Sequence, residues 1–151
     1  MTQKPEHVYS IFIQADPERI WDALTMGEFT RQYFHETRIQ STWEIGSPVT
    51  YENEDGSLAV SGEVMEVDRP RRLVFSWQFQ YDPELAAEPH SRVSFDIEPK
   101  GEVCLLKIVH DQFIPESKTL QHIQGGWEAI MCALKTFLET GTAMPIPPKG
   151  T

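Results

Sequence analysis

The stretch from residue 73 to residue 98 constrains the fold more than any other part of the chain. Leu73, Phe75, Trp77 and Phe79 occupy every second position, and Val93, Phe95 and Ile97 do so again, with Arg92, Ser94, Asp96 and Glu98 between and beyond them. A period of two belongs to a pleated strand with one face covered and the other wet. Similar runs lie at 38–43, 48–53, 58–68 and 103–110, and the turn signals NEDGS at 53–57, DRPR at 68–71 and EPKGE at 98–102 separate neighbours. Short alternating runs joined by such turns predict successive hairpins of an antiparallel sheet. The N-terminal run HVYSIFIQA adds a seventh strand, whose apolar character predicts burial on both sides.

The apolar face of such a sheet requires a cover, and GGWEAIMCALKTFLETG at 125–141 provides one. Trp127, Ile130, Met131, Leu134, Phe137 and Leu138 recur at helical spacing, and Gly141 stands where a helix stops. Gly125 and Gly126 mark a place where backbone bends or comes close to the sheet. Between the first two strands, Asp16-Pro17 is an N-cap followed by proline at the first helical position, with Ile20, Trp21 and Leu24 on one side. EFTRQYF at 28–34 adds a second short helical segment.

One domain over residues 5–141 is expected, followed by a flexible proline-rich tail at 142–151. A chain of 151 residues buries about 68–70% of its unfolded surface, enough for a core without metal or disulfide. Cys104 and Cys132 lack metal or redox spacing and read as reduced thiols, which points to the cytoplasm. No apolar run approaches the roughly 20 residues of a membrane span. With 13 Lys and Arg against 23 Asp and Glu, the net charge of −10 opposes nucleic acid as a partner. The basic cluster Arg69-Pro70-Arg71-Arg72 reads as a solvated turn.

Three blocks, SGEVMEVDRPRRLVFSW at 61–77, SRVSFDIEPKGEVCLLKIVHDQF at 91–113 and the helix at 125–141, stand in an order that resembles one family. It is the family named after the activator of Hsp90 ATPase, in its stand-alone bacterial form, within the START-like, Bet v 1-like (SRPBCC) superfamily. The resemblance covers about residues 8–141 and agrees with the α+β architecture read above: a helix-grip fold, its curved seven-stranded sheet wrapped around a long C-terminal helix, with two short helices after the first strand. It implies an internal cavity for a lipid or another apolar small molecule. The ATPase-stimulating N-terminal domain of eukaryotic co-chaperones has no expected counterpart here.

Candidate cavity residues are Tyr51, Phe75, Trp77, Phe79, Phe95, His110, Trp127 and Met131. Each aromatic is equally at home in a core or in a cavity wall, which use the same residue types. His110 reads either as a hydrogen-bonded end-of-strand residue or as an acid–base group. The loop QYDPELAAEPH at 80–90 exceeds what a hairpin needs and serves either as a cap over the cavity mouth or as a mobile acidic loop. Three functions follow. The first is sequestration, transport or sensing of an apolar small molecule, by a monomer or homodimer that needs no cofactor or metal. The second is a cyclase, dehydratase or hydrolase using His110 with Glu63 or Tyr51. The third, implied by the family name, is a module that docks on a chaperone or regulator.

Overall fold

The computed structural model describes residues 5–147; residues 148–151 of the expected tail lie outside them. The described residues form one antiparallel seven-stranded sheet in the order β1-β7-β6-β5-β4-β3-β2. Its strands are β1 (His7–Ile13), β2 (Arg38–Gln40), β3 (Pro48–Glu52), β4 (Leu58–Asp68), β5 (Arg72–Phe79), β6 (Ser91–Lys100) and β7 (Val103–Asp111). Helices α1 (Pro17–Thr25) and α2 (Gly27–Tyr33) carry the chain from one sheet edge to the other, and α5 (Gly126–Thr140) returns against the sheet.

Local chemistry accounts for these elements. Asp16 Oδ1 accepts the Arg19 N–H at 2.8 Å and Pro17 opens α1, whose Ile20, Trp21 and Leu24 are buried. The α5 stripe is buried at Trp127, Ile130, Met131, Ala133, Leu134 and Leu138. Phe137 is half-buried against Phe29, with ring centres 6.1 Å apart. Left-handed Gly141 (φ 92°) ends the helix by donating its N–H to the Phe137 carbonyl at 2.8 Å. The alternating residues of β5 and β6 face the core, while the ion pairs Arg72–Asp96 and Arg92–Asp111 lie on the opposite face. Register shifts at Tyr51/Glu52 and at Val64/Glu66 interrupt the ladder, and such irregularities bend a sheet around a helix.

Several expectations require correction. The first strand is an edge strand with one outward face, where Val8 is 47% and Phe12 55% exposed. The paired glycines divide their work differently from the expectation. Gly125 is left-handed (φ 80°) and provides the bend, but beyond the chain neighbours and the helix's own backbone no atom lies within 4 Å of where a Cβ would stand at either Gly125 or Gly126. Close approach occurs instead at Gly62, where such a Cβ would stand 1.7 Å from the Ser76 carbonyl oxygen of the neighbouring strand. Two short helices escaped the periodicity, α3 (Pro83–Ala86) in the long loop and α4 (Lys118–Ile123) ahead of α5. After the final helix, Ala143 and Ile146 pack against the core.

Candidate functional site: an aromatic cavity under the C-terminal helix

Sheet curvature leaves a cavity of about 360 Å³ beside the first turns of α5. Trp77 and Phe79 of β5 and Val60 of β4 line the sheet side, while Ile123, Trp127 and Ile130 come from α4 and α5. Phe34, just after α2, closes the wall between them, 5.7 Å from the Trp127 ring and 6.1 Å from Trp77. The polar lining residues are His35, Thr37, Asn53, Tyr81 and His122. The Tyr81 hydroxyl is hydrogen-bonded to His122 Nε2, and burial together with the Asp82 carboxylate pushes its pKa up to about 12.

A second, more polar recess of about 660 Å³ shares His35, His122 and Gly126 with the first. Asp82, Glu84, Lys118, Gln121 and Gln124 border it. The two chambers therefore meet along the start of α5. The 80–90 loop forms part of this rim and is held in place. Leu85 is buried, Gln78 Nε2 donates to the Glu88 carbonyl at 2.9 Å, and Glu88 accepts from Ser117 Oγ and the Lys118 N–H, each at 2.7 Å.

Of the candidate residues, Trp77, Phe79 and Trp127 line the cavity. Tyr51, Phe75, Phe95, His110 and Met131 are buried but do not line it. Their faces are taken by packing: Tyr51 stacks on Phe34 with centres 4.6 Å apart, Phe75 sits 6.0 Å from Phe95, and Phe95 meets the Trp127 ring at 5.9 Å. Glu63, the other acid–base candidate, is exposed and outside the cavity lining.

His110 is fully buried, and both of its ring nitrogens are engaged. The Trp127 indole donates to Nδ1 at 3.1 Å, so Nε2 carries the proton and donates to Ser91 Oγ at 2.7 Å. The Ser91 hydroxyl in turn donates a hydrogen bond to the Trp77 carbonyl oxygen at 3.3 Å. Burial pushes the His110 pKa down to about 3, against the opposing pull of Asp111. A neutral imidazole saturated in this way tethers α5 to β7 and has no lone pair left for a substrate proton. Burial, with Asp16, raises the pKa of Cys104, which suppresses its thiolate. Among the described residues no group of three or more His, Cys, Asp or Glu is placed to hold a metal ion.

Tyr81 comes from the 80–90 loop expected at the cavity mouth, whereas Phe34, His35, His122 and Ile123 were not anticipated as lining residues. His122 and Ile123 lie on α4, whose one sequence signal is Ser117, the N-cap that accepts from the Leu120 N–H at 3.0 Å. His35 occupies a left-handed backbone position (φ 49°) that no pattern announces.

A curved antiparallel sheet closed over a long helix, with an apolar chamber between them, defines a helix-grip protein of the START-like, Bet v 1-like class. The chain belongs to the activator of Hsp90 ATPase homolog 1-like family, whose sequence model matches residues 14–139. A comparison with curated proteins found no match. Solved structures resemble it at low identity. Protein MLL2253 from Mesorhizobium loti is 20% identical, with a TM-score of 0.76 over 89% of this chain and 97% of that one. The Aha1 dimer from Colwellia psychrerythraea is 18% identical, with a TM-score of 0.72 over 91% and 98%. CalU16 from Micromonospora echinospora is 20% identical, with a TM-score of 0.70 over 90% and 77%. At these identities the likeness is one of fold. None of the described helices is long and apolar enough to cross a membrane.

Proposed function

We propose that this protein holds an apolar small molecule in the aromatic chamber, with the molecule's polar end turned toward His35 and His122, as a step in sequestration, transport or sensing. The observation that carries this reading is the 360 Å³ cavity, walled by Phe34, Trp77, Phe79 and Trp127, that opens into a polar recess. A largely apolar pocket with a few polar groups at one end is the usual form of a small-molecule site. Acid–base catalysis through His110 gains no support from a buried imidazole whose two nitrogens are occupied.

The test is titration with Nile red, a neutral apolar dye, followed by dye emission and tryptophan quenching. The wild type should bind stoichiometrically. Ile130→Phe, which adds bulk to the wall, should weaken binding at least tenfold while far-ultraviolet circular dichroism stays unchanged. Lys107→Gln, on an exposed strand position away from the chamber, should bind as the wild type does. A wild-type protein that fails to bind, or an Ile130→Phe protein with undiminished affinity, removes the chamber as the site.

A further inference from the structure

Trp77 is 1% exposed, and its ring forms part of the chamber wall. Its indole N–H is the one buried side-chain polar atom without a hydrogen-bond partner among the described residues. The contrast with Trp127 is direct, because the two indoles stand 5.3 Å apart and Trp127 spends its N–H on His110. Trp77 is surrounded by rings: Tyr51 at 5.4 Å, Phe79 at 5.6 Å, Phe34 at 6.1 Å. None of them accepts a hydrogen bond from the Trp77 nitrogen. A donor withdrawn from water with no acceptor is costly, and native interiors contain few. In a cavity wall, the missing acceptor is one that the occupant can supply.

We propose that the occupant carries a neutral acceptor oxygen, such as a ketone, quinone, lactone or ester carbonyl, that takes the Trp77 N–H. This rests on the reading of the chamber as a ligand site. Neutrality follows from the surroundings. The apolar part of the lining holds no cation, so a carboxylate there is desolvated without a partner, whereas a neutral carbonyl loses far less on leaving water. A charged or strongly hydrated group belongs at the other end, beside His35, Tyr81 and His122. The nitrogen lies just beneath the wall, with less than 1 Å² accessible, so binding shifts an aromatic neighbour as the acceptor arrives. Two neighbours come from outside the sheet, Trp127 of α5, which His110 holds, and Phe34 in the segment after α2, which is the one to move.

The experiment uses two flat probes that differ only in the acceptor, 9-fluorenone and fluorene, titrated into ¹⁵N-labelled protein. Its four tryptophans give four indole N–H resonances, assigned with single Trp→Phe variants. Fluorenone should move the Trp77 resonance downfield and bind about tenfold more tightly than fluorene, the ratio that one added hydrogen bond produces. In Trp77→Phe, which keeps an aromatic ring and lacks the donor, the two affinities should converge. If both probes bind the wild type equally and the Trp77 resonance responds to neither or to both alike, the chamber stands as a site and the acceptor inference fails. If neither probe binds, the ligand reading and this inference fail together.

Discussion

Trp127 Nε1 lies 3.1 Å from His110 Nδ1 and donates to it, which places one interior hydrogen bond between the C-terminal helix and the last strand. The bond sets the tautomer of His110, directs its other nitrogen to Ser91, and turns the Trp127 ring toward the chamber. A residue that seemed a candidate for chemistry thus positions a wall.

That arrangement makes stability depend on acid in a defined window. With the folded pKa near 3 and an ordinary value of 6.5, between those values the unfolded chain binds a proton on this ring and the folded protein does not. The contribution is therefore complete above pH 6.5 and is lost as the pH falls toward 3, by up to about 1.4 kcal/mol per unit. His110→Gln should be less stable than wild type at pH 7.5 and should lose less on going from pH 6.5 to 5.0. Urea midpoints at three pH values measure both effects, and equal losses in the two proteins would remove His110 as their source.

Glu88 joins the loop after β5 to the start of α4. Burial pulls its pKa up, yet hydrogen bonds from Ser117, Lys118 and Thr119 hold the carboxyl below its usual range. Glu88→Gln keeps the shape but replaces one acceptor oxygen with a donor. The variant should lose about 1 kcal/mol of stability, a moderate figure because the site is partly solvated. Amide exchange at residues 118–123 should accelerate while exchange in β6 and β7 stays slow. Uniform acceleration would mean that the loop and α4 do not form a local unit.

The glycines give an opposed pair of expectations. Gly62→Ala places a methyl 1.7 Å from the Ser76 carbonyl, backbone against backbone, and should cost more than about 3 kcal/mol or prevent folding. Gly126→Ala, at the first position of α5, meets no atom within 4 Å beyond its chain neighbours and its own helix backbone, and should be neutral or stabilising by a few tenths of a kcal/mol, about half the helix-interior difference or less. Denaturant midpoints of both variants test the two claims, and a tolerated alanine at 62 would show that β4 and β5 are not so closely apposed.

The architecture was legible because period-two and helical patterns, read from Leu73, Phe75 and Trp77 or from Trp127, Ile130 and Leu134, record which face of an element is buried. The same patterns cannot tell packed interior from cavity wall. Phe75 and Trp77 sit on one face of one strand, and only the path of α5 and the position of Phe34 separate the lining residue from the buried one. The rim was less legible still. His35 depends on a left-handed backbone, Tyr81 on a loop tethered by Glu88, and His122 on a helix of six residues, too short to carry a period.

Gly126 borders both chambers and touches nothing where its side chain would begin. A larger residue at this position would thus narrow the border that the two chambers share, alongside His35 and His122, without meeting a packed neighbour. If the chamber holds the proposed guest, the girth it admits and the stability of the fold are therefore separable traits. Successive replacement of Gly126 by alanine, valine and leucine would narrow the passage stepwise and retune selectivity with the scaffold unchanged.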